Sequence, residues 1–174
     1  MSILTKDEIL DEIKQGSIKI EPFNEDQMGP GSVDLRLGNE FLVFKKVRDI
    51  VDITEDVTHE DYTEKVYIKT GDRIILMPGD TILGITLERI TLADNISGWL
   101  EGRSRFARMG LLVHISASFI QPGIDNKQCL EITNFSSMPL ALHPGTKICQ
   151  FIFQKLSGRA KYTGRYANQD EKNF

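Results

Sequence analysis

Three arginines and a serine crowd one short segment, Gly102-Arg103-Ser104-Arg105-Phe106-Ala107-Arg108, and a single glutamate stands inside a later apolar run, Leu130-Glu131-Ile132. Guanidinium forks pair bidentately with phosphate oxygens, and a glycine lets backbone N–H groups approach an anion closely. Between the two lies Phe119-Ile120-Gln121-Pro122-Gly123, an apolar pair closed by a turn signal. A carboxylate flanked by Leu130 and Ile132 is expected to be desolvated, which raises its pKa and suits it to accepting and returning a proton. An anion grip joined to a proton shuttle points to a nucleotide held by its phosphates and worked on at its base.

Other chemistries fit less well. Water activation on zinc by a nucleobase deaminase needs His-x-Glu and Cys-x-x-Cys ligands, whereas His59, His114 and His143 stand apart and Cys129 and Cys149 are twenty positions from each other. Neither a Gly-x-x-x-x-Gly-Lys-Ser/Thr loop nor a dinucleotide fingerprint occurs. Ser104 as a nucleophile would need a histidine base, for which His114 is the one near candidate; its plainer reading is a hydrogen-bonded histidine on a strand face. Arg103 and Arg105 read equally as solvated charges or partners of Glu101, Asp34 and Arg36 as a pair at a subunit interface, and Phe119 as a packing residue beside the pocket.

The elements that must position these residues are mostly strands. One helix opens the chain: Thr5-x-x-Glu8 is a capping box, and Ile9, Leu10 and Ile13 recur at helical spacing until Gly16. Strands are expected at Ile18–Glu21, Val33–Leu37, Val66–Lys69, Thr81–Ile90, Leu111–Ile115, Cys129–Phe135, Leu140–Leu142 and Ile148–Phe153, with turns at Gly71-Asp72 and Pro78-Gly79-Asp80. Many short strands with regular turns imply a mainly β fold, a distorted antiparallel barrel or jelly roll with a short N-terminal helix. Asp49 to Glu64 lacks an apolar period and reads as an exposed excursion. The segment 157–174, poor in apolar residues, reads as disordered or as a lid that orders on ligand.

The 174 residues, 40% of them hydrophobic, suit one domain, 1–174. A net charge of −4 argues against duplex nucleic acid as a partner, so phosphate contacts must be local. No apolar run is long enough to span a bilayer and MSILTKDEIL lacks the layout of a signal peptide, so a cytoplasmic protein without a membrane partner is expected. The two cysteines read as small core residues in a reducing compartment.

In order and spacing, Gly102–Arg108, Phe119–Gly123, Leu130-Glu131 and Pro144-Gly145-Thr146-Lys147-Ile148-Cys149-Gln150 resemble the motifs of the dCTP deaminase and trimeric dUTPase superfamily, and Ser32–Gly38 and Tyr162–Gln169 extend the match. The resemblance covers nearly the whole chain and is nearest the deaminase branch. It implies a homotrimer of dUTPase-like barrels with sites between subunits, and zinc-free hydrolysis of dCTP to dUTP and ammonia for pyrimidine deoxynucleotide synthesis. Glu131 would be the general acid and base, Ser104 would orient water, Arg108 would hold charge near the base, and a backbone carbonyl around Ala117 would accept a water proton. Arg103, Ser104, Arg105 and the N–H groups of Phe106 and Ala107 would line the triphosphate path, with Arg165 and Gln169 closing from the tail and Tyr162 packing on the nucleotide. Cys129 and Leu130 would read the pyrimidine edge through backbone groups, Gln121 would bond the sugar, and Mg2+ would enter on the phosphates. The resemblance also raises dTTP as a feedback inhibitor.

Four residues depart from that pattern. Gln121 stands where Asp is usual, and a glutamine cannot take the proton of a water that attacks the α-phosphate; this weakens a bifunctional enzyme yielding dUMP, or a dUTPase alone, unless Asp125 fills in. Arg105 replaces a common serine, Asn126 a usual glycine, and Phe119 resembles the bifunctional branch. A catalytically silent nucleotide-binding regulator is the reading from another class, motivated by Gln121.

Overall fold

The computed structural model describes residues 2–114 and 116–174. The opening helix, α1 (Lys6–Gln15), begins where Thr5 N donates to the Glu8 carboxylate at 2.8 Å and ends at Gly16, whose φ of 77° only glycine adopts freely. Ile9 and Leu4 plug one end of the sheet that follows.

Eleven strands are described: β1 (Ile18–Glu21), β2 (Val33–Phe44), β3 (Thr63–Tyr67), β4 (Ile74–Leu76), β5 (Thr81–Leu92), β6 (Ile96–Gly102), β7 (Leu111–Val113), β8 (Phe119–Ile120), β9 (Asp125–Asn134), β10 (Leu140–Leu142) and β11 (Lys147–Lys155). A one-turn helix, α2 (Ser104–Ala107), separates β6 from β7. Every strand pair is antiparallel, and the main sheet runs β7-β9-β5-β2-β11-β6-β8, with β1 also on β5 and β3 on β2. Its two ends, β7 and β8, are joined by only the residues between Val113 and Phe119, a span of at most about 3.6 Å per residue. A flat seven-strand path cannot satisfy that link, so the sheet curls into a half-barrel, and β4 with β10 forms a separate ribbon.

Strict alternation in β9 turns Leu130 and Ile132 into the main core while Cys129 and Glu131 face outward. The core fills with Phe41, Phe151, Phe153 and the aliphatic residues of β2, β5 and β11. Phe151 and Phe153 stack at 4.3 Å between centroids.

Each expected strand overlaps an observed one, although β2, β5 and β9 run further than their sequence signals, β3 ends at Tyr67 rather than Lys69, and Ile115, read as the end of a strand, lies outside the described residues. Four elements were not foreseen: β6, whose glycines and polar residues mask its alternation, the short strands β4 and β8, and α2. The excursion from Asp49 is exposed as expected until His59–Tyr62 forms a 3₁₀ turn and Thr63 enters β3. The tail lies against the sheet. Asp125 N donates to Ala167 O at 3.1 Å and Lys127 N to Gln169 O at 2.9 Å, so the tail docks on the outer edge of β9 like a short extra strand. Phe174 then seals a second apolar cluster with Leu42, Leu83 and Ile85. None of the described helices is long and apolar enough to cross a membrane.

Candidate functional site

A cleft of about 510 Å³ opens where the edge of β9 is left uncovered between β7 and the docked tail. Its walls bring Glu131, His114, Ala117, Gln121 and Cys129 together with Tyr162 and Gln169 of the tail. Phe44 and His59 close one side.

Glu131 reaches the cleft because β9 alternates, and its cross-strand neighbour Leu83 gives it an apolar floor. His114 reaches it by a different device. Its N–H donates to Glu131 O at 2.8 Å, ending the β7–β9 ladder, and its backbone then turns into the left-handed region at φ 54°. A non-glycine residue held there costs about 1–3 kcal/mol and persists only where its surroundings fix it, a feature of functional sites. That turn buries the imidazole and sets Nδ1 2.8 Å from Glu131 Oε2. The separation is that of a hydrogen bond while the angle is oblique, so neither atom is satisfied by an aligned bond and Nε2 has no protein partner among the described residues.

The expected raised pKa of Glu131 is overturned by this neighbour. Burial pushes the carboxyl up, but His114, by contact and by its charge when protonated, and the backbone together bring it below the ordinary carboxylate value. Glu131 is therefore a carboxylate, able to accept a proton. His114, read from the sequence as a histidine on a strand face or as a base for Ser104, lies instead in the cleft beside Glu131. Its signal was a lone histidine at the end of an apolar strand, but nothing in the sequence shows the left-handed turn that aims it.

Odd-numbered residues of β9 turn their backbone N–H and C=O away from β5: Asp125 and Lys127 donate to the tail, and Glu131 accepts from His114. By the same alternation Cys129 presents its N–H and C=O to the open stretch of edge between them. Leu130 does not, for its backbone faces β5 opposite Gly84 and its side chain lies in the core. Burial, and then the nearby Glu131, pushes the Cys129 thiol up to about 12, which makes it inert.

Tyr162 is anchored by its N–H to Pro122 O at 2.9 Å, and the backbone of Gly164 lies against its ring where a Cβ would collide. Gln169 lies at the cleft with Nε2 donating to Lys127 O at 3.1 Å. Arg165, by contrast, is exposed and is not part of the wall. Phe119 stands half-exposed at the cleft, edge-on to Trp99, in keeping with a packing role.

Ser104, Arg105, Phe106, Ala107 and Arg108 do not line this cleft. They occupy α2 and its end, packed on β7, with Ser104, Arg105, Ala107 and Arg108 exposed and Phe106 turned against the core. The N–H groups of Phe106 and Ala107 donate to Arg103 O at 2.9 and 3.0 Å. Arg103 is held at 3.0 Å by Asp34 rather than by Glu101, and at 3.0 Å by Lys147 O. Arg36 pairs with the buried Glu88 at 2.6 Å, so Asp34 and Arg36 are separately engaged within one chain. Asp125 does not fill in for Gln121: Arg89 and Thr91 hold its carboxylate at 2.8 Å each, and the arginine bond keeps it well ionised below the usual carboxylate range. No group of three or more His, Cys, Asp or Glu converges as a metal-ligand set among the described residues.

A family model described as dCTP deaminase-like matches residues 3–156. A protein of Methanobrevibacter smithii named dCTP deaminase, dUMP-forming, is 34% identical over 97% of this chain and 92% of its own length. A protein of the same name from Mycolicibacterium vanbaalenii is 39% identical over 92% of this chain and 84% of its own. Among solved structures, the 2′-deoxycytidine 5′-triphosphate deaminase of Agrobacterium tumefaciens superposes on 88% of this chain with a TM-score of 0.68 and 21% identity, a likeness of fold. This chain spans 48% of that one's length.

Proposed function

We propose, from the premise that this chain belongs to the dCTP deaminase-like family, that it hydrolyses dCTP to dUTP and ammonia. The observation that carries the reading is the cleft itself: an ionised, half-buried Glu131 beside His114, next to the open backbone edge of Cys129. That edge offers one donor and one acceptor to a pyrimidine. Water oriented near the Ala117 carbonyl adds to C4 while Glu131 takes its proton; Glu131 returns the proton to N3. The tetrahedral carbon then expels the amino group as ammonia as the C4 hydroxyl loses its proton and becomes the uracil carbonyl. His114 holds Glu131 ionised before the addition.

The phosphates need cations that the cleft of one chain lacks. Arg103, Ser104, Arg105 and Arg108 stand exposed or half-exposed elsewhere on the chain, so the site is completed by a second copy, in the homotrimer that the resemblance implies. Ser104 and Arg108 then join the reacting centre from the neighbour, Phe106 and Ala107 shape the phosphate path rather than donate to it, and Arg165 reaches in only when the tail tightens. Mg2+ comes with the triphosphate and keeps its water ligands, needing no protein cage.

The second reading, a product of dUMP, is favoured by the names of the relatives. Against it, Gln121 faces the cleft with an amide that cannot deprotonate water, and Asp125 has Oδ1 held by Arg89 and Thr91 and does not line the cleft. Incubation with dCTP and Mg2+, following ammonia and pyrophosphate together, decides between them. Ammonia without pyrophosphate is expected; equal amounts of both would assign the dUMP-forming reaction, and tight binding with neither product would leave a silent regulator.

A further inference from the structure

Three polar side chains sit on the inward parity of β9: Asn134, whose amide donates to Leu76 O and Met138 O, and, at the cleft, Asn126 and Gln128. Asn126 and Gln128 share the inward face with Leu130 and Ile132, yet both are amides, and both are more than nine-tenths buried at the inner wall of the cleft. Asn126 Nδ2 donates to Tyr166 O of the tail at 2.7 Å, and Gln128 Nε2 donates to Asn126 Oδ1 at 2.5 Å. A carbonyl only accepts, so Tyr166 O fixes the Asn126 amide, and Asn126 Oδ1 in turn fixes that of Gln128. One atom of this chain is left over. Gln128 Oε1 has no hydrogen-bond partner among the described residues and is not sealed off from the cleft.

We propose that Gln128 Oε1 accepts the 3′-hydroxyl of the bound nucleotide's sugar, and that the contact passes through Asn126 to Tyr166 O, making sugar recognition and tail docking a single step. This rests on the reading of the cleft as a dCTP site. The free atom is an acceptor, so it repels phosphate oxygens and requires a donor. The base is placed on the other parity, at Cys129 and Glu131, and Gln128 adjoins it on the tail side, where the sugar follows the base. A deoxynucleotide has one sugar hydroxyl to offer. Gln121 also faces the cleft, but it is exposed on a turn, whereas Gln128 is buried and its amide oriented in advance.

The test compares kcat/KM for dCTP and for 2′,3′-dideoxycytidine 5′-triphosphate in the full chain, its Gln128→Leu variant and its Gln121→Leu variant. The unaltered protein is expected to prefer dCTP by about tenfold or more, since a site built for a hydroxyl rejects the analogue lacking it. Gln128→Leu should lower dCTP far more than the dideoxy analogue, so that the two are used about equally, while Gln121→Leu should keep the preference. A preference that survives Gln128→Leu, or that vanishes in Gln121→Leu instead, would overturn the assignment. If Gln128→Leu does not fold, Gln128→Glu serves: its carboxylate accepts the hydroxyl but cannot donate to Asn126, so the preference should persist while amide-exchange protection of the tail is lost. Loss of that preference, or undiminished protection, counts against the relay. Turnover of dCTP without any preference sinks this inference alone; a protein that neither binds nor converts either triphosphate sinks the dCTP reading and this one with it.

Discussion

His114 and Glu131 form the chemical unit of the cleft, and each needs the other for a different reason. Burial opposes the charged carboxylate, and the imidazole 2.8 Å away together with the backbone offsets it. The Glu131 carboxyl thus titrates below its ordinary value in the free protein, and the base form is lost only as pH falls through that lowered value. His114→Asn keeps a residue that tolerates the left-handed backbone but removes the imidazole. Burial then prevails and the carboxyl rises, so the acid limb of the kcat/KM profile should move to higher pH. A limb that stays in place, or moves lower, would show that His114 does not set the state of Glu131. The identity of Glu131 was legible in the sequence because a lone acid between Leu130 and Ile132 is conspicuous. Its protonation state was not, since that depends on a backbone turn at His114 that no spacing encodes. Asn126 and Gln128 did leave a signal, as polar residues on the apolar parity of β9, but it becomes readable only once the register of the strand is known.

At the level of elements, β9 is the axis of the site. Its second half was legible in the sequence as the apolar strand from Cys129, as were the turns and the helix cap, because composition, period and turn chemistry are local properties, while the polar stretch Asp125–Gln128 was not read as strand. The docking of the tail was not, because it is made largely through backbone hydrogen bonds from Asp125 and Lys127, which leave no trace in side-chain pattern. The same holds for Phe44 and His59, brought to the cleft across a long exposed excursion. The tail depends on Gly123, whose φ is 74° and whose missing Cβ leaves room for Lys161 Cγ at 2.8 Å from where it would stand. Gly123→Val is expected to destabilise by about 1 kcal/mol or more through the left-handed backbone alone and to displace the tail. Limited proteolysis should then cut after Leu156 much faster than in the unaltered chain, with weaker nucleotide binding. An equally protected tail would mean that it is held without this turn.

The whole molecule presents an imbalance: a cleft with an acid, a histidine and amides, and, away from it, an exposed arginine segment. The half-barrel leaves α2 outside the cleft, so Arg108 does not line it beside Glu131 in one chain, and the proposed site takes Arg108 from a second copy. Inactive Arg108→Ala and Glu131→Gln variants should therefore complement each other when unfolded and refolded together. Random assortment makes about a quarter of sites whole in a cyclic trimer. No recovery of activity would place both residues in the same chain's site. The sequence announced the two halves of this chemistry by their residue types, yet their separation on the chain surface is a property of the fold. The most direct measurement of the central claim is ammonia release from saturating dCTP by the Glu131→Gln variant, alongside its Kd for dCTP. Loss of a proton shuttle predicts a fall of about 10²-fold or more in kcat with binding kept within a few fold; ammonia released at an undiminished rate would contradict the account.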